Sequence, residues 1–134
     1  MSKIGTYLQN ALLNGTLRNT AYTPASTVYV GLHTADPTDT TATALGNEVS
    51  GNAYARQAAT FGTPSGGITT TTIDIAFPQA TPSGWGSVGY ISIWDGSTLG
   101  AGNLLYHGTL SPSVTINASD QLKILTGNLT VQLT

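Results

Sequence analysis

Two histidines, a group of acids and a set of aromatic rings are the side chains of this chain that could do chemistry. His33 stands three residues before Asp36, His107 falls in a later apolar stretch and serines are plentiful, so a nucleophile, a base and an orienting acid can be drawn together. The sequence around them is not that of such a site. There is no Gly-x-Ser-x-Gly elbow, no phosphate-cradling Gly-rich loop and no His-rich metal spacing, and the glycines fall where turns do. The expectation is a protein without enzymatic activity, with no catalytic residue and no cofactor, whose histidines are strand residues with ordinary hydrogen bonds.

Three of the six acids, Asp36, Asp39 and Glu48, lie in residues 34–53, TADPTDTTATALGNEVSGNA. A flexible loop with several oxygen donors suits a hard cation. The alternating Asp/Asn pattern and the sharp-turn Gly of a calcium loop are absent, so no metal is expected, and Asp36 is read as forming an Asx turn before Pro37. The aromatics pose a different question. Trp85, Tyr90, Trp94 and Tyr106 could stack on the apolar faces of sugars, which requires at least one Trp exposed beside polar donors such as Asn103 or Asp95; the alternative is that Trp94 is core.

These residues depend on elements that must hold them. Residues 85–109, WGSVGYISIWDGSTLGAGNLLYHGT, read as two strands around a polar tip, the pattern of a hairpin with a longer loop. In the first strand Gly89, Ile91 and Ile93 alternate with Val88, Tyr90, Ser92 and Trp94. In the second, Leu104, Tyr106, Gly108 and Leu110 alternate with Leu105, His107 and Thr109. Both faces carry apolar groups, so the hairpin belongs in the middle of a sandwich or under a partner subunit.

Residues 1–15 read as an amphipathic helix, with Ile4, Tyr7, Leu8, Ala11 and Leu12 on one stripe, Ser2 as cap and Asn14-Gly15 as terminator. They lack the continuous apolar core of an export signal, and no later stretch is long enough to span a membrane. A helix this short must dock, preferably on its own sheet and otherwise on another subunit. Strands are read at residues 27–33, 54–61 and 68–78, then in the hairpin, and at 113–116, 121–126 and 129–134. In the third of these, Ile73, Ile75 and Phe77 are placed on one face with Thr69 and Thr71. The fold class is therefore mainly β, an antiparallel, jelly-roll-like β-sandwich of about eight short strands with one N-terminal helix. Residues 1–16 are taken as the helical arm and 17–134 as a single sandwich domain with a long loop at 34–53.

Composition narrows the partners. Only 7% of the 134 residues are charged, with four basic residues scattered along the chain, so no face can be basic enough for nucleic acid or an anionic membrane. The absence of Cys excludes disulfides and thiolate metal sites. A surface of Thr, Ser, Asn and Gly loses little side-chain freedom when neighbours cover it.

The pieces LHTADPTD (32–39) and NEVSGNAYARQ (47–57), with ALLNGTLRNTAYTP, FPQAT, WGSVGYISIWD and GNLLYHGTL, resemble a family of small virion proteins of tailed bacteriophages often labelled tail-fibre-like. The resemblance runs from about residue 5 to the C-terminus and implies a structural subunit of the virion. Because the chain has neither repeats nor coiled coil, the expected role is capsid decoration (cement), with the major capsid protein and further copies of itself as partners in a dimer or trimer. The alternative is a tail or fibre subunit bound to other tail proteins, with receptor or carbohydrate binding. Candidate interface residues are Tyr7 and Leu8 on the helix, Pro37, Thr38, Asp39, Leu45 and Val49 in the loop, and Tyr54 and Arg56 beside it. Local packing is the competing expectation for each, and the favoured one for Tyr54. Leu45 and Val49 either fold back on the core or meet a partner.

Overall fold

The computed structural model describes residues 3–133. In chain order the elements are β1 (Lys3–Ile4), α1 (Thr6–Leu17), β2 (Val28–His33), α2 (Thr41–Asn47), β3 (Gln57–Ala59), β4 (Ile68–Thr70), β5 (Ile75–Ala76), β6 (Gly86–Trp94), β7 (Leu104–Ile116), β8 (Lys123–Ile124) and β9 (Thr130–Gln132). Five strands form one antiparallel sheet in the order β1-β7-β6-β2-β3, and two ribbons, β4-β9 and β5-β8, complete the β structure. The chain is thus mainly β and antiparallel, in a sandwich-like arrangement.

The hairpin β6-β7 is the centre of the sheet, as its two-sided apolar pattern requires. Its face assignment is not the strict alternation read from the sequence. Register shifts lie between Val88 and Tyr90 and between Ile93 and Trp94, and each turns the following residues by one step. Val88 therefore joins Ile91 and Ile93 in one core, while Leu104 joins Trp94 and Ala44 in another. The strand expected at 113–116 is the end of β7, which runs without a break to Ile116.

The first core lies between the sheet and the ribbons. Val30, Leu32, Ile91, Ile93 and Leu105 meet Ile75, Phe77, Ile124, Leu129 and Val131, and Leu8 of α1 reaches into the same cluster. Ile73 does not share it: it is exposed, because the chain turns between β4 and β5 and breaks the alternation expected over 68–78. The expected strand over 54–61 shrinks to β3, since Tyr54 and Arg56 point into the structure through long polar side chains rather than along a ladder.

The N-terminal segment also differs from its reading. Lys3 and Ile4 pair with His107 and Tyr106, so the sheet gains an edge strand before the helix begins. The expected cap Ser2 lies outside the described residues, and Gly5 takes the cap position without a side-chain bond. Gly5 is needed there, since a Cβ would collide with the Leu104 carbonyl. Asn14-Gly15 does not end the helix; α1 continues to Leu17, and the left-handed residue is Asn19, with φ 54°. The docking is in cis: Leu8 is buried and the Thr6 amide donates to the Asp39 carbonyl at 2.8 Å. Finally, the segment 34–53 is not all loop, because α2 occupies its middle and sets Ala44 against Trp94 and Leu104.

Candidate functional site

On the side of the sheet away from the ribbons, register places Gly31, His33, Ser92 and His107 side by side. Segment 34–53 covers them. It runs beside β2, with the Val49 amide donating to the Leu32 carbonyl at 2.9 Å and the Thr34 amide to the Asn47 carbonyl at 3.3 Å. That pairing delivers Asn47 and Glu48 to the sheet.

Glu48 meets Arg56 in a two-point ion pair, Nη2 to Oε1 at 2.7 Å and Nε to Oε2 at 2.9 Å, with both side chains almost wholly buried. The remaining Arg56 nitrogen, Nη1, donates to the carbonyls of Gly96 and Ala101 in the hairpin tip, each at 2.9 Å. The guanidinium lies 3.9 Å from the centre of the Trp94 ring. One side chain therefore fastens the covering segment, the tip of β6-β7 and the sheet. The Tyr54 hydroxyl donates to Glu48 Oε2 at 2.7 Å and accepts the Leu32 amide at 2.9 Å. Burial first, and the Glu48 charge second, push that phenol far above its usual range, so it stays protonated and a donor. Gly31 makes the room: a Cβ there would stand 2.7 Å from Glu48 Oε2 and 2.9 Å from Ser92 Oγ.

Next to this pair is an arrangement with the outline of a hydrolase triad. His33 Nε2 is 2.6 Å from Ser92 Oγ, and its Nδ1 is 2.8 Å from Asn47 Oδ1. Trp94 Nε1 donates to the same Ser92 oxygen at 2.7 Å. The donors run in one direction, from Trp94 to Ser92 to His33 Nε2, then from His33 Nδ1 to Asn47, whose amide donates to the Asp36 carbonyl. His33, Ser92 and Trp94 are each 0% exposed, and Trp94 occupies the serine oxygen that would have to attack. Burial lowers the pKa of His33 and so favours the neutral ring that this chain of bonds needs, while the bond to Asn47 works in the opposite direction. The geometry suits a structural tie and gives a substrate no approach to Ser92.

Two of the acids of 34–53, Asp36 and Asp39, approach opposite nitrogens of His107, Asp36 Oδ1 at 4.0 Å from Nδ1 and Asp39 Oδ1 closer, at Nε2. Asp36 Oδ1 accepts the Thr38 amide at 2.9 Å, the Asx turn expected before Pro37. Asp39 Oδ1 sits 2.6 Å from Nε2 of the buried His107, and its carbonyl receives the first turn of α1. Glu48 is held by Arg56.

Of the residues singled out in the sequence as contacts, Leu8, Pro37, Val49, Tyr54 and Arg56 are buried within the chain. Tyr7, Thr38 and Asp39 stay exposed and Leu45 is half-buried. Neither Trp is the exposed platform that sugar stacking was expected to require. Trp94 is core, and Trp85, 6% exposed, packs edge-on to Tyr54 and Phe77 while its Nε1 donates to the Asn52 carbonyl at 2.9 Å. Tyr90 and Tyr106 are half-buried. Sequence reasoning missed Asn47, Ser92 and Gly31; the His33-Ser92 pairing depends on strand register, which no local pattern announces.

Among the described residues, no buried side-chain nitrogen or oxygen lacks a hydrogen-bond partner. A sandwich-like antiparallel fold with a closed, fully bonded polar layer is what a structural subunit needs. The family model of the podophage GP4 fiber I protein gp80 matches residues 3–132, nearly the whole chain, and the chain belongs to that family. It is a tail-fibre-like structural protein of the phage virion. No curated protein matches the chain.

Proposed function

We propose that this chain is a non-enzymatic module of the podophage fibre apparatus, attached through its surface to other tail proteins or to further copies of itself. The observation that carries this reading is the fibre-family match over residues 3–132. The closed polar layer supports it, because the groups that resemble a triad are engaged in holding segment 34–53 on the sheet. Low charge supports it too, since a surface with few long ionic side chains loses little entropy when covered.

Capsid decoration is the second reading. It is favoured by a compact chain without repeats or coiled coil, features from which fibres gain length. In that role the partners are the major capsid protein and symmetry copies of the chain, as dimer or trimer. Tyr7, Thr38 and Asp39, exposed near one another through the Thr6-Asp39 contact, are the contact candidates for either assembly.

Immunogold electron microscopy of intact virions, with an antibody against this chain, separates the two. Label on the tail or its fibres is the expected result. Regular label over the head would replace the fibre reading with decoration, and unlabelled virions would overturn both.

A further inference from the structure

The same sheet face that is sealed at Ser92 is open two residues away. Tyr90 pairs with His33 on β2 and with Thr109 on β7, and beyond it lies a shallow groove of about 470 Å³. Six hydroxyl-bearing residues line it: Thr34, Ser87, Tyr90, Thr109, Ser111 and Ser113. None of the lining side chains is charged. None of the six hydroxyls bonds to another described residue, whereas the hydroxyls of Ser92 and Tyr54, deeper in the structure, are engaged. The bulge that follows Val88 places Gly89 in the groove floor, so the backbone there carries no side chain to fill it.

We propose that this groove is a binding site for a neutral saccharide. A half-exposed tyrosine ring offers a rigid apolar face with few rotatable bonds, suited to the C–H face of a pyranose. Each Ser or Thr hydroxyl can donate one hydrogen bond and accept others, which matches the mixed donors and acceptors of sugar hydroxyls. The volume falls within the range of about 300–1,000 Å³ usual for small-molecule sites. The ligand class is neutral because the lining holds no Lys or Arg to meet a carboxylate or phosphate and no acid to meet an amine. Of the four aromatics that could stack on a sugar, Trp85 and Trp94 are core and Tyr106 faces an apolar cleft with Val28, Phe61 and Val131; Tyr90 alone stands among free hydroxyls. The site deepens the fibre reading, yet it is tested on the isolated chain, so its failure and a wrong virion location are told apart.

The test is an NMR titration of the full ¹⁵N-labelled chain with the methyl glycosides of glucose, galactose and N-acetylglucosamine, and with glucuronate as a charged control. The expected result is saturable amide shifts confined to residues 87–90 and 109–113 with at least one neutral glycoside, with Kd on the order of 1 mM as befits an open groove. Tyr90→Phe keeps the stacking face and should bind within about threefold of the parent, while Tyr90→Ala should bind at least about tenfold more weakly. Gly89→Val covers the case in which Tyr90→Ala does not fold. Its Cβ would meet Ser113 at an ordinary 3.6 Å, so the variant should keep its melting temperature and lose the shifts. Absent shifts with all three glycosides, shifts elsewhere on the chain, equal binding of glucuronate, or full affinity in Gly89→Val would each overturn the proposal.

Discussion

The two faces of the central sheet are covered by opposite chemistry. Toward the ribbons, aliphatic and aromatic side chains from β2, β6 and β7 meet those of β5, β8 and β9 in a dry core. Toward segment 34–53, the contact is an ion pair, a histidine held between Asn47 and Ser92, and a second histidine held by Asp39. The dry side gains stability roughly in proportion to buried apolar area and tolerates small changes of shape. The polar side gains little net energy from its ion pair, because desolvating both charges offsets most of their attraction, but it is severely damaged when one partner goes. What it supplies is position: Arg56 ties Glu48 of the segment to the Gly96 and Ala101 carbonyls of the hairpin tip.

That contrast can be broken most directly at Arg56. Arg56→Met should cost about 3–5 kcal/mol by chemical denaturation, because Glu48 is left charged and buried. Adding Glu48→Leu should recover most of that loss, as removal of both charges does in general. A double variant as unstable as the single one would show that the carbonyl and ring contacts of Arg56, rather than charge balance, hold the face.

A smaller effect is expected from Gly31→Ala, about 1–3 kcal/mol, since its Cβ would press on Glu48 and Ser92. On the dry face, Ile91→Val should cost about 0.5–1.5 kcal/mol and add simply to changes at distant core positions. Pairs drawn from Glu48, Tyr54 and Arg56 should instead show strong coupling in double-mutant cycles.

Acid should loosen the polar face first. The pKa of His33 is lowered in the folded chain, so above the unfolded value of about 6.5 the ring is neutral in both states and its contribution is fully present. As pH falls below that value the unfolded chain takes the proton first, and stability declines toward the folded pKa. A plot of unfolding free energy against pH should therefore fall below about pH 6.5, and His33→Gln should flatten that part of the curve. At the small end, Leu17→Ser on the 76%-exposed end of α1 should change stability by no more than about 0.5 kcal/mol. Any larger change in the intact virion would then report an assembly contact at that residue.

Much of the dry half was legible in the residues themselves. Alternation in 27–33 and the two-sided pattern of 85–109 locate β2, β6 and β7, because strand periodicity is local and burial selects it. Asp36 before Pro37 announced its own turn, since the bond closes within three residues. Three things were decided only by the tertiary structure. Two bulges in the hairpin set which side chains face which core, and bulges carry no reliable sequence mark. Lys3 and Ile4 became a strand rather than helix because β7 offered them an open edge. The polar layer exists because register sets His33 two residues from the Ser92 position on the neighbouring strand, and because segment 34–53 folds back to bring Asn47 and Glu48 across. Local sequence specifies elements through short-range periodicity and turn chemistry, whereas the partners of a buried polar side chain lie dozens of residues away and are chosen by how those elements pack.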